Sequence, residues 1–211
     1  MTAADHQHGS AHGHERFHGV SGLVIGATML VGRGSLSRLV AGVAGVGPGD
    51  RVLDVGCGPG GAAREAARRG ATVTGVDPAP LMLQLGRYLS AGRSGRNITF
   101  LQGTAEALPV ADRAVTVAWA ISSAHHWPDV PAGLRELQRV LAPGGRLIIA
   151  ERLTQPGAHG LAAHGFTEAQ AAGTAAAAQA VGFAGARHET HQAGRRTLAV
   201  VRAHRAAGRP G

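Results

Sequence analysis

Val52-Leu53-Asp54-Val55-Gly56-Cys57-Gly58-Pro59-Gly60-Gly61 is a short apolar run that closes on an acid, breaks into glycines and enters a helical pattern from Ala62 to Arg69. Strand, tight turn and helix in that order form the unit that binds an adenosine-bearing cofactor. The glycines let the backbone turn sharply and approach a ligand with no Cβ in the way. Asp77 stands about twenty residues further on, closing the next apolar run, Ala71 to Val76. A carboxylate there can bond both hydroxyls of a ribose.

The cofactor is a separate question. Gly56, Gly58 and Gly61 also satisfy G-x-G-x-x-G, so a dinucleotide site stands as an alternative. Two features oppose it. Asp54 places a carboxylate two residues before the first glycine, where a pyrophosphate would lie close by; it suits a ligand carrying an ammonium and a sulfonium. All 21 basic residues are arginine, so the tyrosine and lysine pair of short-chain dehydrogenases is impossible, and the only tyrosine, Tyr88, precedes Leu-Ser-Ala-Gly.

The chain resembles the class I S-adenosylmethionine-dependent methyltransferases, in particular the branch (methyltransferase type 11) that includes enzymes of ubiquinone and menaquinone biosynthesis. Five segments carry the resemblance, in order, between about Gly49 and Arg152. They are Val52 to Gly60, Val73-Thr74-Gly75-Val76-Asp77-Pro78, Gly103-Thr104-Ala105-Glu106-Ala107-Leu108-Pro109, His125-His126-Trp127-Pro128-Asp129, and Leu134 to Gly145. A weaker likeness continues to Arg202.

The resemblance implies an α/β, Rossmann-like, doubly wound seven-stranded sheet, mostly parallel with an antiparallel C-terminal hairpin strand. It also implies S-adenosyl-L-methionine as cofactor and transfer of a methyl group to a small-molecule acceptor at O, N or C. Asp54 and the backbone of Gly56, Cys57, Gly58 and Gly60 would face the methionine part, and Asp77 the ribose. Pro78 would lie against the adenine, edged by Thr104, Ala105 and Glu106. Two positions depart from the family pattern: Thr104 stands where an aspartate is usual, and Ala114 where many relatives carry an acid. A cofactor-binding protein without transferase activity is therefore a second reading, and a nicotinamide-dependent oxidoreductase a third.

Composition agrees with one globular domain. A chain of 211 residues can bury a substantial core, and 44% of it is apolar though only 3% is aromatic, so Val, Leu, Ile and Ala build that core. Cys57 is the single cysteine, cannot form an internal disulfide, and reads as a small residue within the turn. Val20 to Val31 is too short to span a bilayer, and the stretch before it is histidine-rich rather than lysine- or arginine-rich, so no signal peptide and a cytoplasmic protein are expected.

The formal charge of +8 raises the question of nucleic acid. Its densest basic cluster is Arg187, Arg195, Arg196, Arg202, Arg205 and Arg209, with no aromatic stacking residues beside it, so a solvated hairpin and tail is expected instead.

Residues 1–18 are polar and low in complexity, with His6, His8, His12, His14 and His18; no carboxylate or cysteine constellation completes a metal site, so a disordered tail and no metal are expected. The resemblance implies an N-terminal helical cover over residues 19–48, while 49–203 read as the cofactor-binding domain and 204–211 as a flexible basic tail. Within the domain, strands are expected at 51–55, 71–76, 97–102, 114–120 and 145–150, with helices at 60–69, 79–91 and 131–141. Thr167-Glu168-Ala169-Gln170 has capping-box spacing and opens a helix to Val181. Ala184–Thr190 and Thr197–Val201 are joined by a loop short enough only for antiparallel strands.

Methyl transfer from a sulfonium needs an oriented acceptor and exclusion of water, with a base only where the acceptor must lose a proton. His125 and His126, just past the fourth strand, are the candidate catalytic residues; the alternative is that the His-His-Trp-Pro run, which the resemblance makes common, only shapes the loop and holds Trp127. Trp119 and Trp127 could wall an apolar acceptor site or simply pack. Only about fifteen residues, Glu151 to Gly165, separate the fifth strand from the capped helix, so a small acceptor is expected, or a site completed by the N-terminal segment.

Overall fold

The computed structural model describes residues 34–208. The expected tail over 1–18 and the part of the expected cover over 19–33 lie outside them. Helix α1 (Gly34–Val43) leads into β1 (Arg51–Val55), α2 (Gly61–Arg68), β2 (Thr72–Asp77), α3 (Pro80–Leu89) and β3 (Ile98–Gln102). Then come β4 (Val115–Ile121), α4 (Val130–Val140), β5 (Leu141–Arg152), α5 (Glu168–Ala180), β6 (Phe183–Ala193) and β7 (Arg196–Arg205). The strands form one seven-stranded sheet in the order β3-β2-β1-β4-β5-β7-β6. The first five pair in parallel, and β7 pairs antiparallel with both β5 and β6. The chain order reverses between β1 and β4, which is where ligands of open α/β sheets bind.

Burial on both faces explains the unbroken apolar strands. Four of five residues of β1 are buried, as are six of seven in β4. One face packs on α1 and α2 through Val40, Ala63 and Trp119, the other on α4 and α5 through Leu134, Leu137 and Ala171. Trp119 is 0% exposed within the first of these layers, so it is core rather than a wall of an acceptor site. Alanines at 62, 63, 66 and 67 make the buried face of α2, and side chains this small bring the helix close to the sheet.

Helix ends follow the local chemistry. Asp129 accepts from Ala132 N at 2.9 Å to open α4, with Pro131 in the first turn. Thr167 and Gln170 form both halves of the capping box at the start of α5.

The C-terminal end departs from expectation. β7 extends to Arg205, so the expected tail from 204 loses its first two residues to the sheet. Arg205 Nη1 donates to the carbonyls of Gln138, Arg139 and Leu141 at 2.7, 3.1 and 2.6 Å, placing a cation at the carbonyl end of α4. β6 also runs beyond Thr190 to Ala193, because its alternating His, Thr and Gln positions belong to an edge strand with one covered face. Among the described residues, no helix is long and apolar enough to cross a membrane.

Candidate active site

The glycine turn after β1 is fixed by the next strand. Gly56 N and Cys57 N both donate to Val76 O, at 2.8 and 3.0 Å, carrying the chain across the top of β2. Gly56 has φ 69°, and a Cβ on it would fall 2.4 Å from Ser123 Cβ, so only glycine fits against the loop after β4. Ser123 Oγ in turn donates to Val55 O at 2.8 Å. This contact ties the turn to the loop that carries the two candidate histidines.

Asp54 is 2% exposed at the carboxyl end of β1. It lines a cavity of about 200 Å³ with Gly56, Cys57, Pro59, Arg64 and Ser37. Gly34 and Leu36 of α1 line the same cavity, so the described part of the N-terminal segment sits on the Asp54 side of the site. Arg64 is anchored there by donating to Pro59 O at 2.6 Å, and burial lowers its pKa from the ordinary arginine value. Burial pushes the Cys57 thiol well up, reinforced by the charges of Asp54 and Asp77, which keeps it neutral and removes it as a nucleophile.

Asp77 closes β2, 8% exposed. Its Oδ2 accepts from Gly58 N at 2.8 Å and its Oδ1 from Ala79 N at 2.9 Å. Burial raises its pKa, and those two N–H donors pull it back. One carboxylate thus holds both the glycine turn and the entry to α3. Pro78 lies between, exposed, its carbonyl accepting from Gln102 at 3.3 Å. The segment after β3 follows alongside, with Gly103 N bonded to Asp77 O at 3.3 Å. Thr104 is exposed and bridges to Ala107, Ala105 is buried, and Glu106 is half-buried, its Oε1 without a hydrogen-bond partner among the described residues. Gly60 caps α2 at φ 75° beneath the Phe100 ring.

His125 and His126 lie in one turn of 3-10 helix after β4. Glu151, 0% exposed in β5, accepts from Ala124 N at 2.7 Å through Oε1 and meets His125 Nδ1 at 2.8 Å through Oε2. His125 Nε2 is buried and has no hydrogen-bond partner among the described residues. His126 is more exposed; burial and the neighbouring His125 and His164 lower its pKa, so it is neutral at pH 7. His164 faces both, with ring centroids 5.5 Å from each. Trp127 packs against Gly133 of α4, where an added Cβ would lie 2.7 Å from its ring.

Comparison with known proteins decides the class. Residues 53–149 match the family model described as a methyltransferase domain. This stretch is a methyltransferase domain. Of the two cofactors that the glycine spacing left open, the family is that of S-adenosylmethionine rather than a nicotinamide dinucleotide. Methyltransferase GfsG of Streptomyces halstedii is 44% identical over 109 residues, 50% of this chain and 39% of that protein. The 27-O-demethylrifamycin SV methyltransferase of Amycolatopsis mediterranei is 37% identical over 131 residues, 61% of this chain and 48% of that one. The chain spans less than half the length of these relatives. A SAM-dependent methyltransferase from Aquifex aeolicus shares the fold, with TM-score 0.71 and 18% identity over 86% of this chain and 97% of its own.

Glu151, His164, Ser123 and Arg64 are the neighbours the sequence did not mark. Nothing local flags them. Glu151 ends an apolar strand 26 residues after His125, and only the pairing of β4 with β5 brings them together.

Proposed function

We propose that this protein transfers a methyl group from S-adenosylmethionine to a hydroxyl-bearing small molecule, with His125 taking the acceptor proton. The supporting observation is the contact between His125 Nδ1 and the fully buried Glu151, which leaves the buried Nε2 without a hydrogen-bond partner among the described residues, in the loop that Ser123 ties to the glycine turn. A buried carboxylate accepting from Nδ1–H fixes the tautomer whose Nε2 carries the lone pair.

Arg64 and Asp54, across the same cavity, suit the carboxylate and ammonium of the methionine part, and the Gly56 to Gly60 turn leaves room for its backbone approach. Asp77 takes the ribose hydroxyls, and Pro78 with Thr104, Ala105 and Glu106 borders the adenine. Bound there, S-adenosylmethionine would supply an activated methyl group whose C–S bond breaks as the acceptor O–C bond forms, leaving a neutral thioether, and His125 Nε2 would take the acceptor proton. His126, neutral at pH 7, stands beside it as a second proton acceptor.

The test is methyl transfer from radiolabelled S-adenosylmethionine to a panel of phenols, enols and sugar alcohols. Once an acceptor is found, His125→Ala should lower kcat by about 100-fold or more with unchanged affinity for S-adenosylhomocysteine. Glu151→Gln should lower kcat less and move the pH–rate profile, as expected of a positioning residue. An unaltered kcat in His125→Ala would remove the histidine from the mechanism.

A further inference from the structure

The sequence offers no metal-binding spacing outside the N-terminal tail, but the fold assembles one. His125 and His126 come from the turn after β4; His164 comes from the segment between β5 and α5, 38 residues further on. One ring nitrogen of each lies within 4.8 Å of the others. We propose that His125, His126 and His164 form a binding site for a divalent transition-metal ion of the zinc type.

Three observations carry this. First, the spacing is close to what a metal needs: nitrogens at about 2.0–2.1 Å from a tetrahedral zinc stand roughly 3.3 Å apart, a contraction that rotation of the two exposed rings, His126 and His164, can supply. Second, His125 is already held as a metal-binding histidine is. Its Nδ1 sits on the buried Glu151 carboxylate at 2.8 Å, which fixes ring and tautomer and leaves Nε2 as the nitrogen available to ligate. That Nε2 is buried and lacks a partner among the described residues, a cost that a bound cation would remove.

Third, the His164 segment is anchored from both sides. Phe166 N donates to Arg152 O at 2.9 Å and Thr154 N to Phe166 O at 2.8 Å. Arg152 also reaches the carbonyls of Leu161 and Ala162, at 2.5 and 2.7 Å. Between His164 and Phe166, Gly165 has φ 147° and passes so close that an added Cβ would fall 2.1 Å from Arg152 O. The backbone is therefore built to present His164 to the other two rings.

Three imidazoles without a protein carboxylate leave the fourth position of a tetrahedral ion open. Placing the methyl acceptor at that position is the only part that rests on the methyl-transfer reading. With an ion bound the His125 lone pair is engaged and cannot also take the proton; an acceptor oxygen entering the fourth position would bind as the oxyanion with its proton released to solvent, which favours acceptors with a phenolic or enolic oxygen. Metal binding itself needs neither cofactor nor acceptor.

The test uses the full chain with His6, His8, His12, His14 and His18 all changed to Ala, so that the tail cannot bind metal. Titration with Co²⁺, followed by its visible ligand-field bands and then by competition with Zn²⁺, should show one saturable equivalent with tetrahedral-type absorption. In that background, His164→Ala and His126→Ala should each weaken affinity by about tenfold or more. His159→Ala, in the same segment, should leave it unchanged. Both rings are exposed, and an unchanged circular dichroism spectrum confirms that the variants fold. Absence of saturable binding, or binding that His164→Ala leaves intact, would overturn the proposal whether or not the protein methylates anything.

Discussion

Gly60 has φ 75°, and an added Cβ would lie 2.7 Å from the Phe100 ring. Both penalties meet between Pro59 and Gly61, which line the cavity proposed to hold the cofactor. Gly60→Ala should therefore cost about 1–3 kcal/mol of stability, read as a lower urea midpoint, and weaken S-adenosylhomocysteine binding in the same variant. Stability unchanged by that substitution would show the turn to be softer than its geometry. The glycine turn and Asp77 were legible because a backbone requirement leaves a residue-type signature that survives in sequence. His125 and His126 were legible only as candidates. What gives His125 a direction is Glu151, and a carboxylate at the end of a buried strand looks in sequence like any strand-ending charge. Thr104, the departure from the family pattern, is exposed at the sheet edge, where Glu106 beside it keeps one buried carboxylate oxygen without a partner among the described residues.

Helix α4 holds the segment that borders the proposed adenine site. Glu136 Oε2 accepts from Leu108 N at 2.9 Å, while Arg139 reaches Glu136, Asp112 and the carbonyls of Leu108 and Val110. The hydrogen bond from Arg139 is the main cause of a lowered Glu136 pKa, with the Leu108 N–H adding to it. A carboxylate whose folded pKa lies below its unfolded value contributes stability above the unfolded value, about 4.3, and loses it as pH falls through the folded one. Wild-type stability should thus fall more steeply than that of Glu136→Gln on acidification below about pH 5, and the variant should be weaker at pH 7 by about 1 kcal/mol, allowing for solvent screening. Parallel pH curves for the two proteins would contradict this. Elements with a period or a cap were read closely, as the capping box at Thr167 illustrates. Their ends were not: β6 runs past its predicted limit because an edge strand carries polar residues that read as loop, and β7, between β5 and β6, continues through Arg202 and His204 to Arg205, polar residues that read as tail.

At the scale of the whole molecule, the C-terminal strand closes the sheet onto α4. Arg205, expected in a flexible tail, binds three carbonyls at the end of that helix, and Arg202 meets Glu189 at 3.1 Å. Two of the arginines behind the basic C-terminal cluster are therefore part of the fold. Arg205→Ala should lower the melting temperature through about 1–2 kcal/mol of lost charge-assisted hydrogen bonding, and leave S-adenosylhomocysteine affinity unchanged. A loss of affinity instead would couple the hairpin to the cofactor edge. A parallel sheet with helices on both faces, which the structure has over β1 to β5, follows from the strand–helix alternation. The meeting of His164 with His125 and His126 does not, since it depends on how one short connection crosses the sheet edge.

The most direct test of the central claim is calorimetric titration of the full chain with S-adenosylhomocysteine and with NAD, repeated on Asp77→Ala. Saturable micromolar binding of S-adenosylhomocysteine, lost in the variant, and no heat from NAD are the predicted result. Binding of NAD alone, or of neither ligand by the wild type, would contradict the assignment of this site to S-adenosylmethionine.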